Sequence, residues 1–318
     1  MRAIMVEKPG GPEVLQSVRI PEPEPKGDHE IVTLIAAGVS QADVLMREGR
    51  YFGNLEFPFV PGRELIGIDG KGRMVAGFTS GGAYAEKVSV KKGLLWEVPD
   101  DLDHDEACAL TVDGQTAWHL LHTALAIERG ETVVIPNAAS AVGIYAVQLA
   151  RLHHCRVIAM DSGDIRLQVA QALGADAVID YTETDGLADR IRDAAGGDVD
   201  AALDLTGDEE IFNGTVEALS FRGRMVIDGC SAPQKGVISR EALVLGSKSL
   251  SGFWLPPLFN DRYTMGNVMQ TIFATAAIGA LKTPEYTRFP LEQAEQAHRA
   301  LASGFPGKII LNPGHLWY

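Results

Sequence analysis

Along the first third of the chain, apolar positions come in short runs that alternate with polar ones and are cut by turn residues. RAIMVE, SVRI, IVTLIAAGVS and AYAEKVSV are separated by a Gly-Gly pair and by the stretch PEPEPKGDHE, a pattern that predicts a β-rich domain from Met1 to about Ala109. From about Thr116 to Trp254 the period changes. Apolar strand-length runs (ETVVIP, RVIAMD, AVID, DAALDLTG, GRMVIDG, SLSGFWL) alternate with helix-length ones (VGIYAVQLARLHH, DIRLQVAQALGA, GLADRIRDAAG, EIFNGTVEALS). This is the signature of βαβ units on a mostly parallel sheet. Beyond it lie an apolar helix (NVMQTIFATAAIGAL), an extended piece (YTRFP), a helix (LEQAEQAHRALASG) and a closing strand (GKIIL). Local pattern alone assigns these to neither domain.

The turn after VVIP is the first place where pattern suggests chemistry. A strand, the turn NAASAVG and a helix form the arrangement in which helix N-terminal amides hold a pyrophosphate. Of the glycine fingerprint only Gly143, the one that lets helix and strand pack closely, is present; Ala138 and Ser140 stand where the other two belong, with Ala141 and Val142 between Ser140 and Gly143. Ser140 can itself donate to a phosphate oxygen. The next strand ends in Asp161, where a carboxylate accepts from the ribose hydroxyls of NAD and repels the 2′-phosphate of NADP. Two plainer readings stand beside these: Asp161 caps the helix that follows, and Arg166, which could meet a 2′-phosphate, is a solvated cation on that helix. On balance the residues favour NAD(H), with NADP(H) allowed.

Composition narrows the class. The 318 residues are enough for two domains, and 46% of them are hydrophobic. A formal net charge of −14 repels a polyanion, so nucleic acid is excluded as a main partner. Cys108, Cys155 and Cys230 lie far apart without a CxxC pair, which fits a reducing, cytoplasmic setting better than a disulfide framework. No run reaches the roughly 18 apolar residues of a membrane span.

The blocks GGPEVL, AAGVSQADVLMREGRY, FPFVPGRE, GGAYAEKV, TAWHLL, RGETVVIP, AVQLA, ALGADAVIDY, FPLEQAEQAHRALASG and GKIIL follow one another as they do in a known family. Over nearly its whole length the chain resembles the zinc-independent, zeta-crystallin-like quinone oxidoreductase branch of the medium-chain dehydrogenase/reductases. The resemblance implies an α/β protein with a GroES-like β domain (residues 1–115 and 255–318), a Rossmann domain (116–254), an active-site cleft between them and a homodimer joined through the apolar strand KSLSGFWL. It also places Ser40, Arg63 and Asp113 at the positions of the catalytic zinc ligands of alcohol dehydrogenases. One carboxylate does not hold zinc, and the four-cysteine structural lobe is missing, so no metal is expected. The segment between VPGRELIGIDG and KGRMVAGF is shorter than the family's usual hairpin.

Three catalytic candidates remain. Tyr51 matches the loop that carries a catalytic tyrosine in enoyl thioester reductases, and is either a proton donor or an aromatic packing residue. Ser40 either hydrogen-bonds a substrate carbonyl or turns the chain. Arg63 either pairs with Asp113 where zinc stands in relatives, or faces a substrate oxygen, or is a surface charge unrelated to Asp113. Asp43 reads as a helix N-terminal residue and Thr116 as a neighbour of the nicotinamide, while His119 and His122 read as packing residues. The leading reading is hydride transfer from a nicotinamide cofactor to a small quinone or α,β-unsaturated carbonyl. An enoyl thioester reductase and a weakly catalytic redox sensor or structural protein are the alternatives.

Overall fold

The computed structural model describes residues 1–53, 55–229, 240–283 and 285–314; Cys230 lies outside them. The chain divides into two compact units, Met1–Gln115 with the segment from Leu258 onward, and Thr116–Pro257.

In the first unit, β1 (Arg2–Val6) and β2 (Leu15–Arg19) form an antiparallel pair. The strand β3 (His29–Val39) is followed by the helix α1 (Gln41–Arg47) and by β4 (Glu64–Ile68), β5 (Met74–Phe78), β6 (Lys87–Lys91) and β7 (Leu95–Glu97). α2 (His104–Ala109) then widens into a π-helical turn over Leu110–Gly114. The helix α3 (Gln115–Trp118) and a second π-helical turn (His119–Ala124) lead into the second unit.

That unit alternates strand and helix. Its strands are β8 (Thr132–Pro136), β9 (Arg156–Asp161), β10 (Ala177–Asp180), β11 (Val199–Asp204), β12 (Leu219–Asp228) and β13 (Ser249–Phe253). Between them lie α4 (Ala141–Leu152), α5 (Asp164–Ala172), α6 (Leu187–Ala195), α7 (Glu209–Ala218) and α8 (Arg240–Gly246). All pairings are parallel, in the order β10-β9-β8-β11-β12-β13. Counted from the unit's first strand this is 3-2-1-4-5-6, the order of a dinucleotide-binding sheet. Strands covered on both faces read as unbroken apolar runs, which is why Val133, Val134 and Ile135 are all fully buried.

The last elements are α9 (Arg262–Ala277), β14 (Tyr286–Pro290), α10 (Ala294–Ala302) and β15 (Lys308–Asn312). β15 pairs antiparallel with β3, so the closing strand completes the sheet of the first unit, ordered β14-β15-β3-β4-β5-β7 with β6 also on β3. Its core gathers Val32, Leu34, Leu65, Val75, Val90, Ile309 and Leu311. β6 alternates, with Val88 and Val90 inward, whereas β4, β5 and β15 are buried on both faces. Among the described residues no helix is long and apolar enough to cross a membrane.

Candidate functional site: a nucleotide turn and an arginine–tyrosine pair

In the second unit, the turn between β8 and α4 holds Asn137 in the left-handed region at φ 53°. Ser140 is the N-cap of α4, its Oγ accepting from Gly143 N at 3.1 Å. As an acceptor there, the hydroxyl keeps its own hydrogen for an incoming oxygen. Ala141 and Val142 open the helix, where amides have no partner within it. A Cβ on Gly143 would collide with the Asn137 and Ala138 carbonyl oxygens, so glycine is required for helix and strand to approach this closely. Ala138 and Ala139 are fully buried and fill the space beneath the turn. The residues present therefore fit a dinucleotide pyrophosphate: free first-turn amides, a positive dipole end and a hydroxyl.

Asp161 corrects the sequence reading. Its side chain is fully buried and points under the turn, not out toward a ribose. Oδ1 accepts from Ser162 N at 2.8 Å and Arg166 Nε at 2.6 Å; Oδ2 accepts from Ala139 N at 2.7 Å and Arg166 Nη2 at 3.2 Å. Four donors fill the lone pairs of a carboxylate, so none is left for a ribose hydroxyl. Nor does Asp161 cap α5, whose N-cap is Gly163 without a side-chain bond. Arg166 is likewise no solvated helix cation: its side chain is 16% exposed and also donates to Asn137 Oδ1 at 2.6 Å. Tyr181, which the sequence reading missed, sits beside this pair; burial and then Asp161 push its phenol up to about 12. Thr116 is buried in α3. His119 stacks on Phe253 and bonds Thr123 Oγ1 through Nδ1, and His122 packs between Trp118 and His153, where burial pushes it down to about 4.

In the first unit, Arg63 does not reach Asp113. Its Nη1 donates to Tyr51 Oη at 2.5 Å, and the guanidinium lies 5.2 Å from the Tyr51 ring and 5.8 Å from that of Phe259. Phe259 in turn stacks on Phe78. Aromatic faces on the guanidinium hold it in one plane and screen it from water.

Asp113 pairs instead with Lys308 Nζ at 2.6 Å, and the same ammonium meets Glu64. All three side chains are at most 5% exposed. The sequence reading passed over both Lys308 and Glu64; the only signal was a lone charge opening an apolar strand. Burial works to push the Glu64 carboxyl up, against the pull of Lys308. Burial works to lower Lys308, yet Asp113 and Glu64 outweigh it and hold the ammonium above the ordinary lysine range.

Ser40 is corrected as well. It caps α1 in a reciprocal box: Oγ donates to Asp43 Oδ2 at 2.8 Å, and Ser40 N donates to the same oxygen at 3.0 Å. This leaves its hydroxyl committed to the cap, and makes Asp43 the helix N-terminal residue expected. Asp43 is fully buried, also accepts from Gly62 N at 3.1 Å, and is pushed up by burial. Behind it runs a directional chain. Arginine can only donate, so Arg47 Nη1 gives to His298 Nδ1 at 3.0 Å, and Nε2–H then gives to Tyr84 Oη at 3.1 Å. Cys108 and Cys155 are buried thiols pushed up by desolvation, Cys155 to about 11, so neither is a thiolate at neutral pH. Among the described residues no group of three or more His, Cys, Asp or Glu is arranged to hold a metal ion.

Known proteins resemble this chain over nearly its whole length. The family described as zinc-binding dehydrogenase matches residues 141–273. The quinone oxidoreductase of Lama guanicoe is 29% identical over 98% of this chain and 97% of its own length. A probable quinone oxidoreductase of Schizosaccharomyces pombe is 30% identical, covering 97% of this chain and 96% of that one. The structure of the Thermus thermophilus quinone oxidoreductase, described together with its NADPH complex, superposes with a TM-score of 0.85 at 33% identity over 98% of this chain and 100% of that one. With two units of the expected kinds and similarity of this extent, the chain belongs to the quinone oxidoreductase branch of the medium-chain dehydrogenase/reductase superfamily.

Proposed function

We propose that the protein is an NAD(P)H-dependent oxidoreductase that reduces a quinone or an α,β-unsaturated carbonyl without zinc. The observation that carries this reading is the Arg63–Tyr51 hydrogen bond. A bound nicotinamide would supply hydride. The chain's own contribution is a fixed cation and a phenol, donors suited to the negative oxygen that forms as the carbonyl compound is reduced. Where zinc-dependent relatives have ligands, this chain has a helix cap at Ser40, a hydrogen-bond donor at Arg63 and a carboxylate at Asp113 already neutralised by Lys308. The names of the relatives favour this reading over an enoyl thioester reductase or a non-catalytic sensor.

For the cofactor, Ser140, Ala141, Val142 and Gly143 would hold the pyrophosphate, with Thr116 beside the nicotinamide. Because Asp161 is saturated from within, nothing in its placement selects NADH; the half-buried Arg166 and the NADPH complex of the Thermus relative favour NADP(H). A dimer through the edge strand β13, and a cytoplasmic location, extend the same reading. The test is NADPH oxidation with a benzoquinone after metal chelation. Turnover should persist, and Arg63→Ala and Tyr51→Phe should each lower kcat by about 10- to 100-fold with nucleotide affinity unchanged. Wild-type turnover in both variants would remove the proposed chemistry, and loss of turnover on chelation would remove the zinc-independent part.

A further inference from the structure

Resting on that reading, we propose that Lys308 is a positioning residue for Arg63, acting through the buried Lys308–Glu64–Asp113 cluster.

The argument begins with strand geometry. Arg63 directly precedes β4 and its carbonyl is paired beside the neighbouring strand β5, so in this extended backbone whatever fixes Glu64 also limits the direction in which Arg63 leaves the sheet. Glu64 is fixed unusually well. It opens β4, and its carboxylate meets Lys308 from β15 and accepts from Val112 N of the π-helical turn at 3.2 Å. The sheet makes room for it at Gly38 on the facing strand β3, where a Cβ would overlap the carboxylate. The opposite flank of Arg63 is tied too. Gly62 N donates to Asp43 Oδ1 at 3.1 Å, and Arg63 O accepts from Thr79 N at 2.8 Å. Arg63 thus stands between two anchored neighbours, with its guanidinium directed at Tyr51.

A second thread reaches the same ammonium. Asp113 lies in the π-helical turn, where the backbone is wound wider than in an α-helix, and Lys308 pulls its carboxylate to 2.6 Å. Because Val112 N also bonds Glu64, the turn, β4 and β15 are fastened at one point. A hydrophobic core would stabilise this junction without charge. Three ionisable groups sealed together are a costly way to fill space, and geometric definition is the property they confer.

The experiment is a mutant cycle. The chain Lys308→Met/Glu64→Gln/Asp113→Asn removes the buried charges together, so that no unpaired ion is left behind; Arg63→Ala is then made in the wild-type and in the triple background. NADPH binding, followed by fluorescence, and quinone turnover are measured in all four. If Lys308 positions Arg63, the triple variant binds NADPH as the wild type does but loses kcat by about tenfold or more, and Arg63→Ala adds little to that loss. If Arg63→Ala costs the same factor in both backgrounds, the cluster is structural only and the inference falls while the proposed function stands. If Arg63→Ala is neutral in the wild type, the inference falls together with the role assigned to Arg63. Should the triple variant not fold, Glu64→Gln, identical in shape, replaces it in the same cycle, with non-additivity again the supporting result.

Discussion

Two carboxylate–cation arrangements, one in each unit, solve different problems with similar groups. In the second unit, Asp161 lies buried beneath the nucleotide turn, its carboxylate filled by four donors, and holds Arg166 at the rim with 16% of that side chain exposed. In the first, Lys308, Glu64 and Asp113 are sealed, and no side chain of the three is more than 5% exposed. Of this pair only Arg166 reaches the surface, and it does so without leaving Asp161. The sealed cluster touches only the protein, and its influence passes along the backbone to Arg63.

The strongest way to break this contrast is Lys308→Met, which leaves two carboxylates buried without their cation. It should lower stability by about 3–5 kcal/mol, read by urea denaturation. A loss of under about 1 kcal/mol would mean that the cluster is wetter than it looks. Beneath the nucleotide turn, Asp161→Ala should cost about 2 kcal/mol, because Ala139 N and Arg166 lose their acceptor. It should weaken NADH and NADPH binding alike, since the turn itself loosens. A selective gain in NADPH affinity, read by nucleotide fluorescence, would instead restore Asp161 as a ribose reader.

Acid sharpens the comparison. His298, inside the first unit, is pushed down to about 3 by burial and then by Arg47, so the folded state refuses a proton that the unfolded chain takes up near pH 6.5. Its contribution is intact above that pH and is lost as pH falls from about 6.5 toward 3. At pH 5 the loss is about 2 kcal/mol. Thermal melts at pH 7 and pH 5 should show it, and His298→Gln should flatten the dependence. His122 adds a similar slope down to about pH 4 from the second unit. The smallest effect belongs to Ser140→Ala, about 1 kcal/mol for the cap, with a modest loss of nucleotide affinity.

Much of the fold was legible because it is written in periodicity. The unbroken apolar runs of β8 and β9 and the helix patterns between them announce a parallel sheet, and GKIIL reads as a strand before its partner is known. Gly143 was legible because only one residue type fits its place. Ser40, Asp161 and Arg63 were found as positions while their contacts were not, since a residue's number along the chain does not tell which way its side chain turns. Asp161 sits where a ribose reader sits, but Arg166, one turn into the next helix, draws it inward. Lys308 was invisible for a different reason. Its two partners are Glu64 and Asp113, far away in sequence, and a lone charge opening the run KIIL does not by itself tell a buried residue from an exposed one.

The closing of the first sheet by β15 has a consequence for synthesis. β3 is made early, but its neighbour in the finished sheet spans Lys308–Asn312. The second unit, by contrast, is complete once the chain has reached Pro257. On the ribosome, therefore, the nucleotide-binding unit can fold while the unit that begins the chain still waits for its last strands. Arg63 and Tyr51 acquire their final surroundings only after Lys308 has emerged.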